Sequence, residues 1–154
     1  MAEIIDDIDR KIINTLLENS KLSTQKISKK TGIPITTVHH RIKKLEANKI
    51  ISSYTIRLNN KSVGHGLKAF ISVKVDHQHL GPGGHEKLLE QILKNPAVER
   101  VNLIAGDIDL FIEARVKDIE EMNQFSIKFL RGLSGIASSS TTVVFEEREK
   151  TITI

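Results

Sequence analysis

At Leu67 the hydrophobic pattern of this chain changes period. Before it, apolar residues recur at helical spacing: Ile8, Ile12, Ile13, Leu16 and Leu17, later Ile27, then Val38, Ile42 and Leu45. From Leu67 onward, Leu67, Ala69, Ile71, Val73 and Val75 alternate with Lys68, Phe70, Ser72 and Lys74. A helix repeats about every 3.6 residues and a strand every two, so the front is helical and the rear begins a sheet with one buried face. Between them Asn59-Asn60-Lys61, Gly64 and Gly66 break both patterns, which predicts two domains, residues 1–60 and 61–154. A chain of 154 residues is long enough for two modest cores.

Charge divides at the same place. Between Lys21 and Arg57 stand nine Lys or Arg and one acidic residue, Glu46. Residues 1–60 carry eleven basic and six acidic side chains, and residues 61–154 carry twelve and thirteen, so the whole +4 resides in the front portion. Scattered surface lysines only keep a protein soluble, but cations confined to one segment suit a phosphate backbone.

Within that segment two short helices meet at a glycine. Asp6, with Asp9 three residues on, is a candidate N-cap for a supporting first helix that Asn19-Ser20 ends. Ser23 can cap a second helix, Gly32 can take the positive φ of a sharp helix end, and Ser28 is small where the helices approach. A third helix starting near Pro34 buries Val38, Ile42 and Leu45. Thr36, Thr37, His40, Lys43 and Lys44 then fall opposite, with His39 and Arg41 on the flanks. Hydroxyl and imidazole groups near the helix start can read base edges, and ammonium groups farther along can meet phosphates. The same helix alone would pass for an amphipathic helix with a solvated basic face; the preceding helix, the glycine turn and the charge count favour DNA. Lys49 to Leu58, rich in β-branched residues, reads as a strand or small wing.

Behind the boundary the pattern gives strand Leu67–Val75, an interruption at Gly81-Pro82-Gly83-Gly84, and a helix carrying Leu88, Leu89, Ile92 and Leu93. Strand Val98–Ile104 follows, then a hairpin at Ala105-Gly106-Asp107-Ile108 and strand Leu110–Val116. Asp118 caps a helix bearing Ile119, Met122, Phe125, Phe129 and Leu133, and Ile136–Glu146 is the last strand. The order is βαββαβ, with both helices on one side of an antiparallel sheet. The opposite face, with Phe70 and Phe111, is of the kind a dimer covers.

These residues resemble the Lrp/AsnC (leucine-responsive regulatory protein) family of bacterial and archaeal transcription regulators. The resemblance rests on Ile5-Asp6-x-x-Asp9-x-x-Ile12-Ile13-x-x-Leu16, on Gly32 with Thr37-Val38-x-x-Arg41-Ile42-x-x-Leu45-Glu46, on Ile50-Ile51-x-x-Tyr54 and on Gly106-Asp107-x-Asp109. It spans almost the whole chain, although Pro34 stands where family members often have a capping Ser and the run Ser138-Ser139-Ser140 is less usual. The resemblance implies an α+β fold: a winged helix-turn-helix followed by a ferredoxin-like domain named for the regulation of amino-acid metabolism. It implies a homodimer, assembling further to tetramers or octamers, that binds double-stranded DNA. The DNA-reading segment would be Thr24 to Lys43, including Thr24, Gln25, Thr36, Thr37, His39, His40, Arg41 and Lys43, with Lys44 beyond it. An amino-acid effector would contact Gly106, Asp107, Asp109 and Thr141. On residue chemistry alone, Asp107 and Asp109 read as ordinary turn aspartates.

Two other readings stand beside this one. His77-x-His79 with His85 could begin a metal site, but these residues lie in a glycine-rich loop without cysteine support and need a further ligand; solvated histidines explain them as well. The chain has no cysteine, no nucleophile motif and no phosphate-cradling glycine loop, so an enzyme is not expected, and neither is a metal or cofactor beyond the effector. The second is a nucleoid-associated, less specific nucleic-acid-binding protein using the same basic face. Met1 to Asp7 show no basic start followed by an apolar run, and no stretch approaches the roughly 18 apolar residues of a membrane span, so a soluble cytoplasmic protein with no membrane partner is expected.

Overall fold

The computed structural model describes residues 5–154. The leader pattern considered over Met1 to Asp7 lies partly outside those residues. The chain forms two compact units, one running to Arg57 and taking in Arg148–Ile154, the other spanning Leu58–Glu147. The sequence boundary at residue 60 lies just past this division. The tail, read with the rear domain, groups instead with the front one. Both backbone groups of Ile154 bond to the Asn14 amide, at 2.9 and 2.8 Å, and Arg57 pairs with Glu149 at 2.8 Å.

In the first unit α1 (Asp7–Glu18), α2 (Thr24–Thr31) and α3 (Ile35–Ala47) pack around Ile12, Leu16, Ile27, Ile33 and Val38. Asp6 caps α1 reciprocally. Its carboxylate accepts from the Asp9 amide at 2.9 Å while that of Asp9 accepts from the Asp6 amide at 3.2 Å. Ser23 caps α2 through the Lys26 amide. Gly32 ends α2 at φ +73°, a conformation costly for any residue with a Cβ. The Ser28 hydroxyl then donates to the Ile33 carbonyl at 2.6 Å and fixes the turn into α3.

The strand expected over Lys49 to Leu58 is not formed. Lys49 adopts φ +56° at the exit of α3, where the Ile50 and Ile51 amides return to the Leu45 carbonyl. The residues beyond run without regular secondary structure. Their β-branched composition favours extended backbone, but a strand requires a neighbouring ladder and the described residues present none there.

The second unit is a four-stranded antiparallel sheet in the order β2-β3-β1-β4, built from β1 (Leu67–Val75), β2 (Val98–Leu103), β3 (Leu110–Val116) and β4 (Ile136–Val143). A short α4 (His77–Leu80), absent from the sequence reading, precedes α5 (Gly84–Leu93). β4 stops at Val143, short of the expected Glu146. One sheet face is covered: Ala69, Ile71, Val73, Ile112 and Ala114 are wholly buried against Leu88, Ile92, Met122, Phe125 and Leu130. Leu93 and Ile119, expected on the covered side, are more than half exposed at 53% and 63%.

The final helix is also not uniform. After α6 (Ile119–Asn123) the backbone widens into a π-helical turn, Gln124–Phe129, and closes with a 3-10 turn, Leu130–Gly132. The wider turn accommodates five-residue spacing between buried Phe125 and buried Leu130, which a regular α-helix would place on different lines. On the uncovered sheet face Phe70 and Phe111 stack with ring centroids 5.3 Å apart.

Candidate nucleic-acid interface and effector hairpin

The outward side of α3 follows from what the inward side buries. Val38 and Leu45 are buried and Ile42 half-buried, so Thr36, His40 and Lys43, which fall within about 60° of one another on a helical projection, form the stripe opposite. All three are exposed, as are His39 and Lys44 on its two sides; Thr37 is half-buried. No side chain caps the start of α3 at Pro34, so its first amides stay available to water or to phosphate oxygens. On α2, Gln25 is exposed and Thr24 half-buried. Lys43 and Lys44 have no ion-pair partner among the described residues, and neither do Lys26 and Lys29, so their charge is uncommitted.

Arg41 is placed differently from its neighbours. Its Nη1 lies 2.6 Å from Asp6 Oδ2 and 3.3 and 3.2 Å from the two carboxylate oxygens of Asp9. Asp9 is 3% exposed, so its charge is held inside the head and opposed by this guanidinium. Arg41 therefore ties α3 to α1 instead of projecting with the exposed stripe. The ion pair lowers the Asp6 carboxyl, with the Asp9 amide the larger cause, and raises the guanidinium through Asp6 first. A second tie holds the far end of the same helix: Tyr54 Oη donates to Glu46 Oε1 at 2.8 Å. Partial burial first, then this acceptor, pushes the Tyr54 hydroxyl up to about 12. The sequence reading missed both ties. The available signal was Asp9 itself, an acid one turn before Ile12 and Ile13 on the buried side of α1, which calls for a cation.

In the sheet unit the Ile104 amide bonds to the Asp109 carbonyl at 2.9 Å and closes a four-residue turn, Ala105 to Ile108. Gly106 sits at φ +149°, which side-chain-bearing residues rarely adopt. Asp107 is exposed and has no partner among the described residues. Asp109 is engaged: Oδ2 accepts from the Val75 amide at 2.7 Å, and Oδ1 lies 3.2 Å from His77 Nε2. The Val75 amide, more than His77, holds this carboxyl below the usual range. It thereby supplies an acceptor where the pairing of β1 with β4 shifts register, between Lys74 and Val75. Thr141 is remote from the turn, opposite Ile71 on edge strand β4, with its hydroxyl donating to Ser126 at 3.1 Å. The fold thus groups Gly106, Asp107 and Asp109 and leaves Thr141 apart within one subunit.

Residues 5–52 match a family model described as winged helix-turn-helix DNA-binding, and residues 68–153 match the Lrp/AsnC ligand binding domain. The chain belongs to the Lrp/AsnC family. An uncharacterized HTH-type transcriptional regulator of Pyrococcus abyssi is 38% identical over 146 residues, covering 95% of this chain and 96% of that protein. The HTH-type transcriptional regulator FL11 of Pyrococcus furiosus is 32% identical over 151 residues, covering 98% and 96%. Among solved structures, a transcriptional regulator of Neisseria meningitidis in complex with L-Met superposes with a TM-score of 0.90 at 25% identity, covering 97% of this chain and 96% of that one. Escherichia coli AsnC shares the fold at a TM-score of 0.86 and 22% identity, over 97% and 99%.

This Lrp/AsnC member is accordingly a transcriptional regulator with a helix-turn-helix DNA-binding domain and a ligand-binding domain, and not an enzyme. Among the described residues no helix is long and apolar enough to cross a membrane. His77 and His85 approach ring to ring at 5.2 Å, yet no group of three or more His, Asp or Glu among the described residues is arranged to hold a metal ion.

Proposed function

We propose that this regulator acts as a cytoplasmic homodimer that presents two α3 helices to successive major-groove faces, about 10 base pairs apart, on a pseudo-palindromic operator. Thr36, Thr37, His39 and His40 read base edges, with Thr24 and Gln25 of α2 beside them, while Lys43 and Lys44 supply salt-dependent affinity. The observation that carries this reading is the outward stripe Thr36, His40, Lys43, polar, exposed and without competing ion pairs. The uncovered Phe70 and Phe111 pair supports the sheet face as the surface between subunits.

An amino acid is the effector in this reading, since the Neisseria meningitidis structure is a complex with L-Met. Asp107 receives its ammonium group, Gly106 lets the backbone approach, and Asp109 holds the turn in shape. Thr141 belongs to the site as a contribution from another subunit. The effector shifts the balance among dimer, tetramer and octamer, and with it the number of DNA heads able to bind at once.

The test is a mobility-shift titration of the full chain on its own upstream region and on random duplex at physiological salt, with and without a panel of amino acids. Preference for the upstream duplex, changed by at least one amino acid, supports the reading. Equal affinity for both duplexes favours a nucleoid-associated protein of the same fold.

A further inference from the structure

The ligand-binding domain holds a cleft far from the Gly106 turn. Its volume is about 450 Å³, within the range of small-molecule sites, and it opens beside the ends of β3 and α5 and the start of β2. Pro96, Ala97, Val116, Phe125 and Phe129 form an apolar floor, and the two phenylalanine rings stack with centroids 5.6 Å apart. Val116 and Gly106 lie at opposite ends of β3, so this cleft and the effector turn are different places on the sheet.

One wall comes from the π-helical turn. Gln124, Phe125, Lys128 and Phe129 all line the cleft and all come from that one turn. Residues 124 and 128, and 125 and 129, lie one turn apart, so two rings and two polar ends share one side of the helix. Such turns recur at functional sites, and this one gives a hydrophobic wall a polar margin.

The charged groups at the margin are engaged to different degrees. Arg115 is engaged by two carboxylates, Nε with Glu99 at 2.6 Å and Nη2 with Glu147 at 3.0 Å. Glu121, also at the margin, accepts from the Lys117 amide at 2.7 Å and keeps its negative charge. Lys128 is exposed and has no hydrogen bond or ion pair among the described residues, and the Gln124 side chain is likewise uncommitted. An ammonium without an ion-pair partner above an apolar, aromatic floor is complementary to an anionic head on an apolar body.

We propose that the cleft walled by Gln124–Phe129 is a second small-molecule site in this domain, taking a small organic carboxylate with an apolar or aromatic body. The carboxylate meets Lys128 and Gln124, and the body lies on Phe125, Phe129 and Ala97. The site is independent of whether an amino acid binds at Gly106 and Asp107.

Isothermal titration of the full-length protein with phenylacetate, and with the neutral phenylacetamide of nearly equal shape, tests it. The wild type binds phenylacetate at a Kd of roughly millimolar or tighter, as suits a ligand of this size, and prefers it to phenylacetamide. Lys128→Ala weakens phenylacetate about tenfold and abolishes the preference, while Lys128→Arg keeps it. Ala97→Leu, which fills the floor, weakens both ligands together. No binding of phenylacetate to the wild type, or binding that Lys128→Ala leaves unchanged, overturns the proposal. Both outcomes can be read whatever the effector turn does with amino acids.

Discussion

The two units are held together differently. The sheet domain buries thirteen apolar residues in one cluster, interdigitated between strands and helices, whereas the DNA-binding head has five at its centre. The head adds polar ties to its smaller core: the Asp6 and Asp9 capping box, Arg41 across to both acids, and Tyr54 to Glu46. The sheet domain has ion pairs too, with Lys68 between Glu113 and Glu147, but they border a core that is already complete. The position of α3 therefore depends on these ties as well as on the packing of Val38. Salt and charge substitutions should act on the head in two ways at once and on the sheet domain weakly.

The sharpest contrast comes from truncation in the larger core. Ile112 is wholly buried at the middle of β3, and Ile112→Ala should cost about 2–5 kcal/mol in denaturant unfolding. A loss under 1 kcal/mol would mean that the sheet domain is not held by packing as described.

Next are the cations of α3, which should separate by role. Lys43→Gln should weaken binding to all duplexes and flatten the plot of log affinity against log salt by about two units, one for each α3 of the dimer. Arg41→Gln should lower the melting temperature of the head and weaken DNA binding with the salt slope unchanged, because its charge is spent on Asp6 and Asp9. A flattened slope for Arg41→Gln would return that residue to the phosphate backbone.

Smaller effects follow from titration. The folded state holds the Asp109 carboxyl below its unfolded value, chiefly through the Val75 amide. Its stabilising contribution is complete above the unfolded carboxylate range and is lost as pH falls through the lower folded value. Asp109→Asn should therefore reduce the acid dependence of sheet-domain unfolding. Tyr54 behaves in the opposite sense. With its hydroxyl raised to about 12, the contribution is present below the ordinary phenol value and disappears as pH rises through about 12. It is the only tyrosine in the chain, so phenolate absorbance reports it directly, and Glu46→Gln should move the titration downward.

Smallest is Lys49, held at φ +56°. Lys49→Gly should stabilise the head by about 0.5–1 kcal/mol by removing the Cβ from a left-handed position.

Much of this was legible in the sequence because periodicity and capping are local. Asp6, Ser23 and Gly32 announce the helix ends, and alternation at Leu67 to Val75 and Leu110 to Val116 announces the central strands. Among the features that were not legible, three have a non-local reason. Arg41 looks like its neighbours on the projection, and only the tertiary approach of α1 reveals that its charge is taken. Lys49 to Leu58 has the composition of a strand, but pairing depends on a partner that the pattern cannot supply. The π-helical turn arises because Phe125 and Leu130 must both face the sheet, a demand set by packing. At the hairpin the sequence placed Gly106 and Asp107 in the turn but could not separate Asp109, whose carboxylate serves Val75.

The measurement that bears most directly on the account is fluorescence anisotropy of the full chain with a labelled duplex of its own upstream region, from low to physiological ionic strength. The account predicts tight association at low salt that falls linearly on logarithmic axes as salt rises. Failure to associate with duplex DNA at low ionic strength, or an affinity indifferent to salt, would contradict it.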